Sequence, residues 1–301
     1  MRYWIVHADD LGLQHCFNAG ILHGYQHGLI RSTSIRTNGL AWDQAVEEVL
    51  PQCPDMGVGV HLCLNEGKAT AKPTLLPTLC LPDGLFRHRQ MMGFIRLALM
   101  PPSKRLKQEV ECEFRAQIEQ VLHQTAADHL NGHQHIHMIP WIFEITTKLA
   151  QEYKIPYVRW SHDPFVWQSL AVARINPLVW AHWLNMNRWF KRTKRMADQH
   201  GVKTNDVFHG LFHSSSMTMP VVERLVQAAP SSAVIELLLH PTIAHHQDTT
   251  WVDPSLPAYC NHTMRQQELE TVCNPTLAPL LNNEHNQTTN FRQLASQHGL
   301  L

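Results

Sequence analysis

The sequence predicts an α/β protein built as a distorted (β/α) TIM-like barrel, a single domain over residues 1–301 with insertions. Short apolar runs of strand length alternate with amphipathic stretches of helix length, which implies a parallel sheet with helices packed outside it. The number of such units, roughly seven, fits a barrel better than an open sheet. Polar residues fall at or just past the C-terminal ends of the apolar runs, the face on which a barrel carries its chemistry.

Taken in order, RYWIVHADD is a short apolar run ending in two carboxylates, which suits a buried strand with a polar C-terminal end. A helix is expected from about Gln14 to His27, closed by Gly28. LIRSTSIRTN reads as a second strand, AWDQAVEEVLPQ as a helix and MGVGVHLCLN as a third strand. The stretch Ser103 to Gln124 places Leu106, Val110, Phe114, Ile118, Val121 and Leu122 on one helical face. It leads into DHLNGHQHIHM, a histidine-rich strand in which residues 133, 135 and 137 share one pleat face. A helix starts near Pro140, strands follow at IPYVRW and DVFHGLF, a helix starts at Pro220, and SAVIELLLH is another apolar strand. The tail after Tyr259 is helical and closes the barrel.

Two regions break the alternation. Residues 65–102, with KPTLLPTLCLPDG inside, form a proline-rich insertion suited to a flap over the mouth. Residues 163–200 form a basic, aromatic helical insertion. Its segment 174–195 holds Arg174, Arg188, Lys191, Arg192, Lys194 and Arg195, no carboxylate, and Trp180, Trp183 and Trp189 at helix-like spacing.

Lysine plus arginine equals aspartate plus glutamate at 25 each, so no global charge argues for nucleic acid as a partner. Seven scattered cysteines without a C-x-x-C pair point to reduced thiols in a cytoplasmic chain. The N-terminal apolar run is too short for a signal peptide, and no stretch has the length of a membrane span.

The anomaly is histidine, with 22 copies. Most are expected to be ordinary surface or core residues; those at strand ends stand apart. Asp10, His61 and His133 would bring one carboxylate oxygen and two imidazole nitrogens from three strand ends to one divalent cation. Three protein ligands leave positions open for water, as a catalytic rather than structural site requires.

HADDLGL, GVHLCL, HLNGHQHIH and ELLLHP, in that order and at these separations, resemble the YdjC-like carbohydrate deacetylases, over residues 3 to about 270. The resemblance implies a distorted (β/α) barrel, removal of the acetyl group from an N-acetylated sugar, and one bound divalent metal; mixed nitrogen and oxygen ligands accept zinc, magnesium, manganese, cobalt or nickel, with magnesium and zinc taken as the first candidates. It assigns metal ligation to Asp10, His61 and His133, the general base to Asp9 and the acid to His240. It also implies pairing as a homodimer. The family usually has asparagine at the position of His7, phenylalanine at Leu11 and, in many relatives, aspartate at Asn131. A carboxylate at 131, two residues before a ligand, could orient an imidazole, so the amide of Asn131 puts the tuning of the metal, though not its presence, in question; His135 and His137 are read as supporting the site rather than merely filling the mouth.

An amide resists hydrolysis, so a metal must polarise its carbonyl and acidify a bound water while a carboxylate takes the proton. The competing readings are a non-haem iron oxygenase, which uses two histidines and one carboxylate, usually on a jelly-roll, and a non-enzymatic metal-binding protein. The segment 174–195 has two readings as well. One is an amphipathic helix packing Val179, Trp183, Met186 and Phe190 inward. The other is peripheral contact with an anionic membrane that presents a lipid-linked N-acetylglucosamine.

Overall fold

The computed structural model describes residues 1–88, 90–99, 101–170, 183–184, 186–214, 216–252, 256–260 and 263–301. Its centre is a curled parallel sheet. β1 (Arg2–Leu11), β2 (Ser32–Ile35), β3 (Gly57–Leu62), β4 (His129–Gly132), β5 (Tyr157–Val158), β6 (Val207–His209) and β7 (Ala233–Leu239) run in the spatial order β5-β4-β3-β2-β1-β7-β6. Every strand pairing is parallel. β8 (Asn286–Thr289) pairs only with the first half of β1, below the point where β2 begins. The fold class is the one expected: α/β, a distorted TIM-like barrel in one domain.

The two ends of the strand path are stitched together rather than laddered. Val158 N–H donates to Lys203 O at 2.9 Å and Phe208 N–H to His162 O at 2.9 Å. Between them, the buried Asn205 side chain stands in for a strand backbone: it accepts from Trp160 N–H at 2.7 Å and donates to Trp160 O at 2.9 Å.

Alternation along the strands sorts the residues. Trp4, Val6 and Ala8 of β1 join the main apolar core beneath the helices, together with Val58, Val60, Leu237 and Leu239. The opposite pleat face lines the barrel and is largely polar: His7, Asp9, Ser32, Ser34, His61, His129, Asn131, Arg159 and Glu236, all buried. Gly59 makes this filling fit, since a Cβ there would lie 2.3 Å from His129 Nε2. The far end of the barrel is closed by Ile5, Tyr157, Phe291, Leu294 and Ala295. The last three belong to the C-terminal helix Phe291–Gln297.

The long helix spans Lys104–Leu122, with Ser103 Oγ accepting from Leu106 N–H at 3.1 Å as its N-cap. The predicted helix after β2 is instead a broken helical segment over residues 42–52, carrying Pro51 at its end. The histidine stretch is also not a continuous strand. β4 stops at Gly132, and His133–Met138 is a 3₁₀ turn in which Gln134 and His135 take left-handed φ values of 49° and 58°. That turn breaks the period of two, so 133, 135 and 137 point in different directions.

Within 65–102, the bridges Lys68↔Leu85 and Cys80↔Phe86 form a small antiparallel loop, followed by the helix Gln90–Leu99. Glu109 and Glu113 of the long helix hold this loop by accepting backbone N–H groups of Thr78, Leu79, Thr70 and Ala71. Of the segment 174–195, residues 174–182 and 185 lie outside the described residues. In the remainder Met186 and Phe190 are buried and Trp183 and Trp189 half-buried, while Arg188, Lys191, Arg192 and Arg195 are exposed. No helix among the described residues is long and apolar enough to cross a membrane.

Candidate metal centre

In a straight strand, Asp9 and Asp10 would face opposite sides of the sheet. The register of β1 against β2 shifts between Ala8 and Leu11, and Asp10 has φ +71°. This left-handed residue swings the second carboxylate to the same face as the first. Aspartate tolerates that conformation better than most side chains, and Gly12 with φ +85° completes the turn.

Asp10, His61 and His133 meet at the barrel mouth, with one donor atom from each lying within 4.8 Å of the others. Asp10 Oδ1 is 3.5 Å from His61 Nε2 and 3.5 Å from His133 Nδ1. Donors about 2.1 Å from a tetrahedral cation stand about 3.4 Å apart, so the spacing suits a metal. Asp10 Oδ1 is also buried without a hydrogen-bond partner, as an atom reserved for a cation would be. Burial pushes the Asp10 carboxyl up, but His133, His61 and Arg36 outweigh it and hold the group ionised. Among the described residues this is the one such cluster.

Asn131 sits directly behind the cluster. Its amide oxygen lies 2.8 Å from His61 Nδ1, so that nitrogen donates and Nε2 is left free to face the cation. Its Nδ2 donates to Asp9 Oδ1 and to Ser34 Oγ, both at 3.0 Å. An aspartate at this position could hold His61 but could not donate to Asp9.

Asp9 is the most heavily bonded carboxylate in the barrel. Oδ1 receives His7 Nε2 at 3.0 Å, Ser34 Oγ at 2.9 Å, Asn131 Nδ2 at 3.0 Å and Arg159 Nη2 at 2.9 Å. Oδ2 receives Arg159 Nη1 alone, at 2.8 Å, and so keeps a free lone pair. Burial acts to raise this carboxyl, but Arg159, His61 and His7 hold it well below the usual range. Arg159 is itself fully buried, and its Nε and Nη2 also donate to Glu236 Oε1 at 2.8 and 2.6 Å.

His240 follows β7, with its ring edge-on to Tyr259 and its Nδ1 buried without a partner. It lies close enough for the Asp9 and Asp10 charges to act on it, and burial and Arg265 push it down to about 3. His135 and His137 are not part of the three-residue group. His135 Nδ1 lies 2.9 Å from Ser161 Oγ, and His137 Nε2 donates to Arg159 O at 3.0 Å, fixing the backbone that carries the guanidinium. His209 and His213 face Asp163 and Ser169.

Four participants escape the sequence: Ser34, Arg36, Glu66 and Arg159. Arg159 ends the IPYVRW strand, so the strand-end rule that finds His61 applies to it equally. Arg36 and Glu66 likewise follow β2 and β3. A lone serine inside a strand gives no such signal.

The buried histidines set an acid limit on stability. Burial holds His7, His61, His137, His213 and His240 below the ordinary value of 6.5. The unfolded chain therefore binds more protons as pH falls through that value. Their contribution is complete above about 6.5 and is lost towards the folded values, about 3 for His137 and His240. Glu113 and Glu236, raised by burial, act oppositely but are fewer. With divalent ions chelated, the melting temperature is expected to fall from pH 7 to pH 4.5. Scanning fluorimetry across that range checks it, and a flat or rising profile contradicts it.

Comparison with known proteins identifies the family. The family model described as YdjC-like protein matches residues 3–283. A carbohydrate deacetylase of Brevibacillus brevis is 28% identical over 79% of this chain and 80% of its own length. One of Geobacillus stearothermophilus is 25% identical over 97% of this chain and 98% of its own. The crystal structure of an Enterococcus faecalis protein proposed to cleave cellobiose phosphate superposes with a TM-score of 0.73 at 20% identity, covering 97% of this chain and 98% of that one. With a family match that takes in nearly all of the sequence and every strand but the last, the chain belongs to the YdjC-like protein family.

Proposed function

We propose that this protein is a metal-dependent carbohydrate deacetylase that hydrolyses the acetamide of an N-acetylated sugar. The observation that carries the reading is the Asp10–His61–His133 cluster with the free Oδ2 of Asp9 beside it, in a chain whose relatives are carbohydrate deacetylases. A divalent ion held by the three residues would supply Lewis acidity to the acetamide carbonyl and lower the pKa of an attacking water. The mixed nitrogen and oxygen donors accept either magnesium or zinc.

Asp9 takes the water proton on Oδ2, its other oxygen being saturated by four donors. His240 is neutral in the free protein. Asp9 returns the water proton to solvent, and His240 takes one proton from solvent and passes it to the departing sugar nitrogen. The balance is one water consumed, with its hydroxyl on the acyl carbon and its hydrogen on the amine.

The parallel sheet removes the architectural support for an iron oxygenase, and a single three-residue cluster among the described residues does not favour a metal buffer. The sugar is a chitooligosaccharide or a lipid-linked N-acetylglucosamine. The lipid-linked form draws support from the helix Gln90–Leu99, which leaves Met92 and Leu99 70% and 69% exposed near the barrel mouth. Its Gly93 lies against Asn65, next to Glu66. Exposed Lys191, Arg192 and Arg195 add cationic groups suited to anionic lipid. A second copy of the chain is the competing occupant of this apolar face.

The test is acetate release from N-acetylglucosamine, chitooligosaccharides and a lipid-linked glucosaminide, with and without chelator, beside Asp9→Asn. Chelator-sensitive release that Asp9→Asn suppresses supports the reading, whereas no release from any of the three overturns it. Sedimentation with anionic vesicles supports the membrane arm. Dimerisation that Met92→Asp abolishes, without vesicle binding, assigns the face to a second copy.

A further inference from the structure

Arg36 directly follows β2 and its side chain is completely buried, which is costly for a guanidinium unless charge surrounds it. Its Nη1 makes a short hydrogen bond to Glu66 Oε2 and lies 3.5 Å from Asp10 Oδ1. Nη2 reaches Asn38 Oδ1 at 3.1 Å and Cys63 Sγ at 3.3 Å, so the head of the side chain is fixed on several sides. Glu66 in turn is buried, and its Oε2 lies 3.5 Å from His133 Nε2. The His133 ring thus stands between two carboxylates, with Nδ1 towards Asp10 and Nε2 towards Glu66. Glu66 is outside the group whose donors can share one cation. His133 Nε2 is buried with no hydrogen-bond donor or acceptor on it.

A carboxylate behind an imidazole fixes which nitrogen carries the proton and makes the opposite nitrogen a better electron donor. Arg36 holds that carboxylate in place and at the same time touches the carboxylate of Asp10. The ligand residues come from β1 and from the turn after β4, and the Arg36–Glu66 pair spans the ends of β2 and β3 between them. His61 receives its equivalent support from Asn131.

We infer that Arg36 and Glu66 form a positioning clamp in which Glu66 orients His133 through Nε2, Arg36 holds Glu66 and Asp10, and the pair sets the metal affinity of the centre. This rests on the metal-site reading above.

The experiment measures affinity of the purified full chain for Zn²⁺ and Mn²⁺ by competition with a chromogenic chelator, alongside the melting temperature of the chelator-treated protein. The variants are Glu66→Gln, Glu66→Asp and the double replacement Arg36→Met with Glu66→Met, which removes both members of the buried pair and takes the guanidinium from beside Asp10. The clamp predicts that Glu66→Gln weakens binding about 10–100-fold, that Glu66→Asp recovers part of the loss, and that the double variant stays weak even with its melting temperature restored. Binding unchanged in Glu66→Gln and in the double variant overturns the clamp, whatever their melting temperatures. Failure of the natural protein to bind either ion overturns the metal site and the clamp together, so the two failures are distinguishable.

Discussion

Replacing His61 by alanine is expected to abolish stoichiometric binding of divalent metal and to lower kcat/KM for acetate release on the order of 10³-fold or more, with the fold retained. The side chain is 2% exposed and supplies one of the three donors, so no neighbouring residue replaces it. Its loss also strands Asn131 Oδ1, a cost of about 1–3 kcal/mol, which a domain of this size tolerates. Elemental analysis after dialysis, circular dichroism and the acetate assay together check the result. A folded variant that keeps its metal and its activity would remove His61 from the site.

Arg159→Met is the second large effect, and it acts on stability and chemistry at once. The guanidinium is fully buried and bonds both oxygens of Asp9 and one of Glu236. Deleting it leaves two carboxylates in the barrel without their cation, and breaking such a pair costs about 3–5 kcal/mol. Arg159 is also the strongest influence holding Asp9 below the usual carboxylate range against burial, so its removal raises the Asp9 pKa. A base must be deprotonated to act, and the acid limb of the pH–rate profile therefore moves to higher pH. Adding Glu236→Gln relieves one stranded charge and restores part of the stability, but leaves the pH shift in place. Urea unfolding and a pH–rate profile measure the two effects separately. Unchanged stability together with an unmoved acid limb would contradict the account.

Much of the frame is legible in the sequence because it rests on periodicity. The apolar runs of β1, β3 and β7 and the helical face of Lys104–Leu122 repeat at the spacing their burial requires. The strand ends gather Asp9, Asp10, His61, His133 and His240 on one face, and the resemblance to the family singles out Asp10, His61 and His133 among them as ligands. What escapes is what depends on backbone geometry or on partners distant in the chain. The period of two in the histidine stretch ends at Gln134 and His135, whose left-handed conformation no apolar pattern signals. The tail after Tyr259, read as helical, also contains β8, which escapes notice because NQTT pairs with the lower part of β1 and has no alternating apolar face. Arg159 and Asp9 are 150 positions apart, and their contact follows from strand order, which the sequence leaves open.

The join at Asn205 gives the cylinder a seam. Around most of the sheet neighbours are tied by backbone ladders, whereas across this join the Tyr157–Lys203 bridge, the bond from Phe208 N–H to His162 O and the two bonds of the Asn205 amide carry the closure. Arg159 is the residue immediately before Trp160, and any widening of the seam tugs the guanidinium that grips Asp9. Asp9 is therefore tied, through the guanidinium of Arg159, to the join in the wall of the barrel.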